Sequence, residues 1–152
     1  MAFDAEQIEV ALFNLIAPLA KAAGFKTVQR QARLFSDVPP ATDQPALFLF
    51  PLGPRVTFEG YGMPKIECHY LALCYSRSDA VRDPNGLPSQ TILNNFLTAL
   101  IGVTTKTFPQ GWKQNLGGLV DEVTIDGDCP MQTGVLDQQC GMEIPFRAIT
   151  GV

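Results

Sequence analysis

The stretch that decides the fold is residues 46–75, which read ALFLFPLGPRVTFEGYGMPKIECHYLALCY. Residues 46–50 are apolar at every position, and 65–75 are largely apolar, with Glu67 and His69 as exceptions. Such runs predict strands that are buried on both faces. No helical pattern separates the strands of this stretch, so antiparallel pairing is favoured over the parallel pairing of a doubly wound fold.

A protruding arm is predicted in the middle of the same stretch. Two prolines in residues 51–54 predict that the first strand ends there. A second strand is expected at 56–59, and the joint that follows, 60–64, is longer than a tight hairpin turn. This joint predicts an arm with Tyr61 and Met63 exposed near its tip.

Two amphipathic helices flank the strands. Asp4 is the expected N-cap of the first helix and Gly24 its end, with Pro18 on the wet side, where it kinks rather than breaks the helix. The second helix is expected at about residues 88–102. The apolar stripes of the two helices are Ile8, Leu12, Leu15, Ile16, Leu19 and Ala23, and Ile92, Leu93, Phe96, Leu97, Leu100 and Ile101.

Three more strands complete the predicted sheet, at residues 27–34, 119–126 and 141–149. Pro145 places the last strand at an edge, or with its missing N–H facing out. The chain is therefore predicted to be a single α+β domain over residues 1–152, with a mixed, mainly antiparallel sheet and two helices packed on one face. Because two strands are apolar on both faces, the second face must be covered by the arm, by loops or by another copy of the chain.

Charge is scarce in this chain. The 152 residues are 46% hydrophobic and 17% charged, with a net charge of −4. Scattered basic residues and a negative net charge argue against ordinary nucleic-acid binding. No apolar run is long enough to span a membrane, and the acidic N-terminus does not resemble a secretory signal, so a cytoplasmic protein is expected. The composition fits either a well-packed monomer or a subunit that hides apolar surface in an assembly.

No catalytic centre or metal site emerges from the sequence, and no cofactor is predicted. The four cysteines lie at 68, 74, 129 and 140, and His69 is the only histidine. On a strand, Cys68 and His69 point to opposite faces and cannot share a metal or form a dyad. Buried reduced thiols are the expected role, with a small thiol-dependent enzyme as the alternative. An EF-hand starting at Asp126 is excluded because Met131 occupies its glycine position.

Several segments, in order, resemble the tail terminator proteins of long-tailed bacteriophages. They are residues 25–38 (FKTVQRQARLFSDV), 44–48 (QPALF), 70–100, 114–120 (QNLGGLV) and 125–127 (IDG). Together they cover most of the chain. Phe35 stands where the family often has Trp, and residues 129–140 do not fit the family pattern.

The resemblance implies a virion protein that is assembled in the host cytoplasm. Six copies would form a ring that caps the tail tube, stops its polymerisation and joins the head–tail connector protein. The implied partners are therefore the chain itself, the tail tube protein and the connector, with DNA passing through the ring unbound. Another neck or tail-completion subunit is the alternative within this class, and a monomeric binding module is a further one.

Two groups of residues are candidates for these contacts. Charge and strand position suggest Glu122, Asp126 and Asp128 as the lining of the DNA channel, where acids would repel phosphates; a solvated outer face is the alternative. The candidates for subunit or tube contacts are Phe13, Arg55, Phe58, Tyr61 and Met63. Phe13 fits equally a wide core face of the first helix.

Overall fold

The computed structural model describes residues 3–31, 45–58, 62, 64–77, 88–104, 114–136 and 139–151. In these ranges the chain forms two helices, six strands and one short 3₁₀ turn. Their bounds are α1 Ala5–Ala23, β1 Thr27–Gln29, β2 Ala46–Phe58, β3 Pro64–Arg77, α2 Pro88–Thr104, the 3₁₀ turn Leu116–Gly118, β4 Glu122–Ile125, β5 Met131–Leu136 and β6 Gln139–Gly151.

The strands form one mixed, mostly antiparallel sheet in the order β1-β2-β3-β6-β4. Only β1 pairs in parallel, along the first residues of β2. Strand β6 is central: β3 lies along one of its edges, and the other edge is shared by β4 and β5. The predicted α+β class and the mixed, mainly antiparallel sheet are therefore confirmed.

Helix α1 begins and ends where the sequence predicts. The Asp4 carboxylate accepts hydrogen bonds from the N–H groups of Glu6 and Gln7, which have no partner within the helix, and Gly24 caps the other end. Pro18 is exposed and lies inside an unbroken helix, as predicted. Arg30 ties the end of β1 to the helix, with its guanidinium nitrogens 2.7 Å from Glu6 Oε1 and 3.3 Å from Glu9 Oε1.

The main core lies between the two helices and one face of the sheet, called here the helix face. Ring centroids of Phe25 and Phe96 lie 5.2 Å apart in an edge-on contact at the centre of this layer. Alternate residues of the long strands supply the sheet side of the core, as the two-residue period of a strand requires. They are Leu47, Leu49, Cys68, Tyr70, Ala72, Cys74, Val123, Met142, Ile144, Phe146 and Ala148.

The opposite side of the sheet, called here the second face, changes character along its length. At one end, Ala46, Phe48 and Tyr75 form a small apolar cluster. Ala46 and Phe48 are 0% exposed in the single chain. Because these side chains are buried without a second copy, this end of the sheet gives no evidence for an oligomer. At the other end the second face is polar and open.

The predicted break at residues 51–54 is wrong. Strand β2 continues to Phe58 because the prolines lie at a β-bulge, where the register with β3 shifts between Pro51 and Gly53. Gly53 has φ 104°, a left-handed conformation that a glycine adopts at little cost. The bulge also exchanges the two sides of β2, so odd-numbered residues beyond it lie on the second face.

Three other strand predictions need correction. Strand β1 ends at Gln29 rather than 34, and β4 begins at Glu122 rather than 119 because the chain is still turning before it. The extra strand β5 was not predicted. Pro145 is not at an edge: its carbonyl accepts a hydrogen bond from Asp126 N–H at the junction between β4 and β5. In a strand, the N–H and C=O groups of one residue point to the same side. The position at which Pro145 lacks an N–H therefore faces this junction.

Candidate functional site

A cluster of mixed charge occupies the polar end of the second face. His69 on β3 and Arg147 on β6 are paired across the strands. His69 Nε2 lies 3.3 Å from Glu67 Oε2, and its Nδ1 lies 3.7 Å from Asp126 Oδ2. Arg147 Nη1 lies 3.9 Å from the other oxygen of Asp126. His69 and Arg147 therefore both lie next to carboxylates, and the positive charge of Arg147 partly offsets the charges of Glu67 and Asp126.

The candidate channel residues lie at or beside this cluster. Asp126 is part of it, and its charge is partly offset by Arg147. Glu122 is half-buried on the same face, in the row opposite Ile149, and Asp128 is exposed beyond the turn. The three acids thus share one region, but this region is not purely acidic. The sequence did not indicate that Arg147 and His69 lie beside Asp126, because they come from strands distant in sequence.

The arm, defined here as residues 53–58 of β2 and 64–69 of β3, has two unlike sides. On the helix-face side the cross-strand pairs are Val56 with Ile66 and Phe58 with Pro64. On the other side they are Arg55 with Glu67 and Thr57 with Lys65. Val56 is 56% exposed and Phe58 is 74% exposed. The arm is therefore an amphipathic hairpin whose apolar side is open to solvent.

The remaining interface candidates have different surroundings. Phe13 is partly buried against the core, which agrees with its reading as part of a wide core face. Arg55 is exposed on the arm. Tyr61 and Met63 lie outside the described residues. Leu52, at the bulge next to the arm, is a further apolar residue that is 58% exposed; the sequence did not indicate it, because a break of the strand was predicted at 51–54.

The turn before β4 is held by side chains of residues 114–121. Leu116, Gly117 and Gly118 all have positive φ (53°, 72° and 95°), which explains the glycine pair. Asn115 Oδ1 accepts from Gly118 N–H at 3.2 Å, and Gln114 Nε2 donates to the Val103 carbonyl at the end of α2. This arrangement joins the α2 end to β4 and carries no catalytic group.

A cleft of about 190 Å³ opens beside the first turn of α1. Asp121 lies at its edge, where one carboxylate oxygen accepts a hydrogen bond from Gly151 N–H at 3.0 Å. Apolar, polar and acidic groups line the cleft together. The lining residues are Phe3, Asp4, Gln7, Ile8, Gly118, Leu119, Val120, Asp121, Thr150 and Gly151.

A second, smaller cleft of about 120 Å³ lies between α1 and the bulge of β2, next to Cys68 and Tyr70. Burial raises the pKa of the Cys68 thiol, and a hydrogen bond with Tyr70 lowers it by less. Burial also raises the pKa of Tyr70. A nucleophilic thiol needs a lowered pKa, so Cys68 does not suit catalysis. Cys68 lies on the helix face and His69 on the second face, as the strand pattern predicted.

Other features of the described residues add little to these surfaces. Cys68, Cys74 and Cys129 are reduced thiols. Within the described ranges, no group of three or more His, Cys, Asp and Glu side chains is placed to hold a metal ion. No helix in the same ranges is long and apolar enough to cross a membrane. No protein-family model matches the sequence, and no curated protein is similar enough to count as a relative.

Proposed function

We propose that this chain is a structural assembly protein of the phage tail terminator type. Its copies form a ring, and the resemblance implies six copies. The observation that carries the proposal is the amphipathic arm. Its apolar side exposes Val56 and Phe58, and Phe58, at 74%, is the most exposed large hydrophobic residue in the described part of the chain. An exposed apolar patch of this kind is typical of a protein–protein contact.

The charged cluster supports a channel that passes DNA without binding it. Glu122, Asp126 and Asp128 would line the channel, with the charge of Asp126 partly balanced by Arg147. A strongly basic surface would hold the phosphates through counterion release, and a balanced or acidic surface would not. The proposed partners are other copies, the tail tube protein and the connector, with the virion tail as the location.

Two alternatives make different use of the same residues. Another neck or tail-completion subunit would also form a ring, but it would not stop tube growth. A thiol-dependent enzyme is the alternative of another class, and the raised pKa of Cys68 counts against it.

Electron microscopy of negatively stained protein, at several concentrations and with tail tubes added, tests the proposal. We expect rings with a central hole, found free or at one end of each tube. Tubes that polymerise in the presence of the ring should stop growing, which separates a terminator from another neck subunit. A protein that stays monomeric and never associates with tubes contradicts the proposal.

A further inference from the structure

We infer that the apolar side of the arm packs into the cleft beside α1 of a second copy of this chain, with Phe58 as the inserted side chain. The inference rests on the proposed function in one respect, namely that the chain self-associates. It adds which two surfaces meet.

The first argument is the fit of size. Phe58 projects from the helix-face side of the arm and is 74% exposed, so its ring is available to a partner. The receiving cleft measures about 190 Å³, and its wall combines the apolar Phe3 and Leu119 with the polar Gln7 and Thr150. A cavity of about 150 Å³ is large enough to hold a benzene ring. A phenyl side chain is therefore small enough for this cleft.

The second argument is charge complementarity. Asp4 and Asp121 lie at the cleft, and no basic residue is among its described lining residues. The arm carries Arg55, which is exposed. Arg55 points to the second face. Strand β1 pairs with β2 only as far as Phe48, so no strand of the described structure lies along the edge of the arm next to Arg55. A long arginine side chain can bend over such an edge while its stem stays on apolar surface.

The third argument is that the two surfaces differ. Each copy carries one arm and one cleft, so a copy that inserts its arm into a neighbour can at the same time receive the arm of another. Contacts between unlike surfaces are the kind that generate rings when the rotation closes.

The test is sedimentation velocity of the full-length chain over a wide concentration range. Two variants remove the proposed contact from opposite sides: Phe58→Ser on the arm, and Thr150→Phe in the cleft. Thr150 lines the cleft and is paired with Ile66, which places its side chain on the helix face, so the new ring fills the cleft. Ile101→Ser, which alters a 47% exposed side chain on α2, is the matched control.

We expect each arm or cleft variant to raise the concentration needed for assembly on the order of a hundredfold, and Ile101→Ser to leave it unchanged. Combining Phe58→Ser with Thr150→Phe should add little to either alone, because both remove one contact. Arg55→Asp and Asp121→Arg should each weaken assembly, and the double variant should recover it.

Should Thr150→Phe fail to fold, as judged by circular dichroism, the charge exchange decides alone. The inference is overturned if the cleft variants assemble as well as the wild-type chain, or if the double charge variant does not recover assembly. In either case the wild-type chain still assembles, so the proposed ring is retained. Full assembly of Phe58→Ser overturns it as well. A wild-type chain that remains monomeric overturns both.

Discussion

Replacing Phe58 with serine should separate assembly from folding. About three-quarters of this side chain is exposed, so only about a quarter of it contributes to the core of its own chain. A phenylalanine buries roughly 150–250 Å² when it is fully covered, and each Å² is worth about 25 cal/mol. The change should therefore lower the free energy of unfolding of the monomer by about 1–1.6 kcal/mol.

The same arithmetic gives a larger effect on the subunit contact. Covering the exposed part of the ring is worth about 3–5 kcal/mol, less about 1 kcal/mol for ordering the side chain. Each 1.4 kcal/mol is a factor of about ten in affinity, so assembly should weaken on the order of a hundredfold.

The assay combines two measurements on the same samples. Urea unfolding of dilute, monomeric protein gives the stability of the single chain, and sedimentation velocity at higher concentration gives the strength of assembly. A loss of more than about 2 kcal/mol in monomer stability would show that Phe58 belongs to the core. Unchanged assembly would show that the arm is not a contact. Either result refutes the reasoning.

Three further predictions concern the fold itself. Phe96→Ala should cost about 3–5 kcal/mol in urea unfolding, because Phe96 is 0% exposed and packs on its neighbours. Burial raises the pKa of Cys68 and Tyr70, so the folded chain holds these protons longer than the unfolded chain. The free energy of unfolding should therefore be fully retained below about pH 8 and should fall as the pH rises towards 11. The fall should be less steep in Tyr70→Phe. A free energy of unfolding that does not change over this pH range would contradict the prediction. Gly53→Ala should lower the melting temperature, because alanine is strained at the φ of 104° that Gly53 adopts. Gly102→Ala should raise the melting temperature, because Gly102 lies in a helix with open space around it.

Local patterns were enough to predict most of the fold. The helix cap at Asp4, the stripe of α2 and the two-sided burial of β2 and β3 each depend on residues close in sequence, which is why the periodicity predicted them. Strand β2 was predicted to end at its prolines because the sequence does not reveal a bulge. Only the pairing with β3 supplies the shift in register that accommodates Pro51 and Pro54.

The candidate sites were harder to predict, because they depend on which strands lie side by side. The sequence indicated Asp126 as an acid on a strand face, but Arg147 reaches it only because β6 pairs with β4. Likewise, the cleft beside α1 combines the first turn of the helix with the ends of β6 and of the 114–121 turn. Phe58 was named as a contact candidate because it stands next to the long joint at 60–64, and its side chain is 74% exposed.

The central claim is that this chain forms a closed ring through its arm. Native mass spectrometry of the wild-type chain tests it most directly. The account predicts one dominant assembly at a fixed multiple of the 16.5 kDa chain, with six as the expected multiple, and monomer in its place for Phe58→Ser. A monomer at every concentration, or a wild-type assembly that Phe58→Ser leaves intact, would contradict the account.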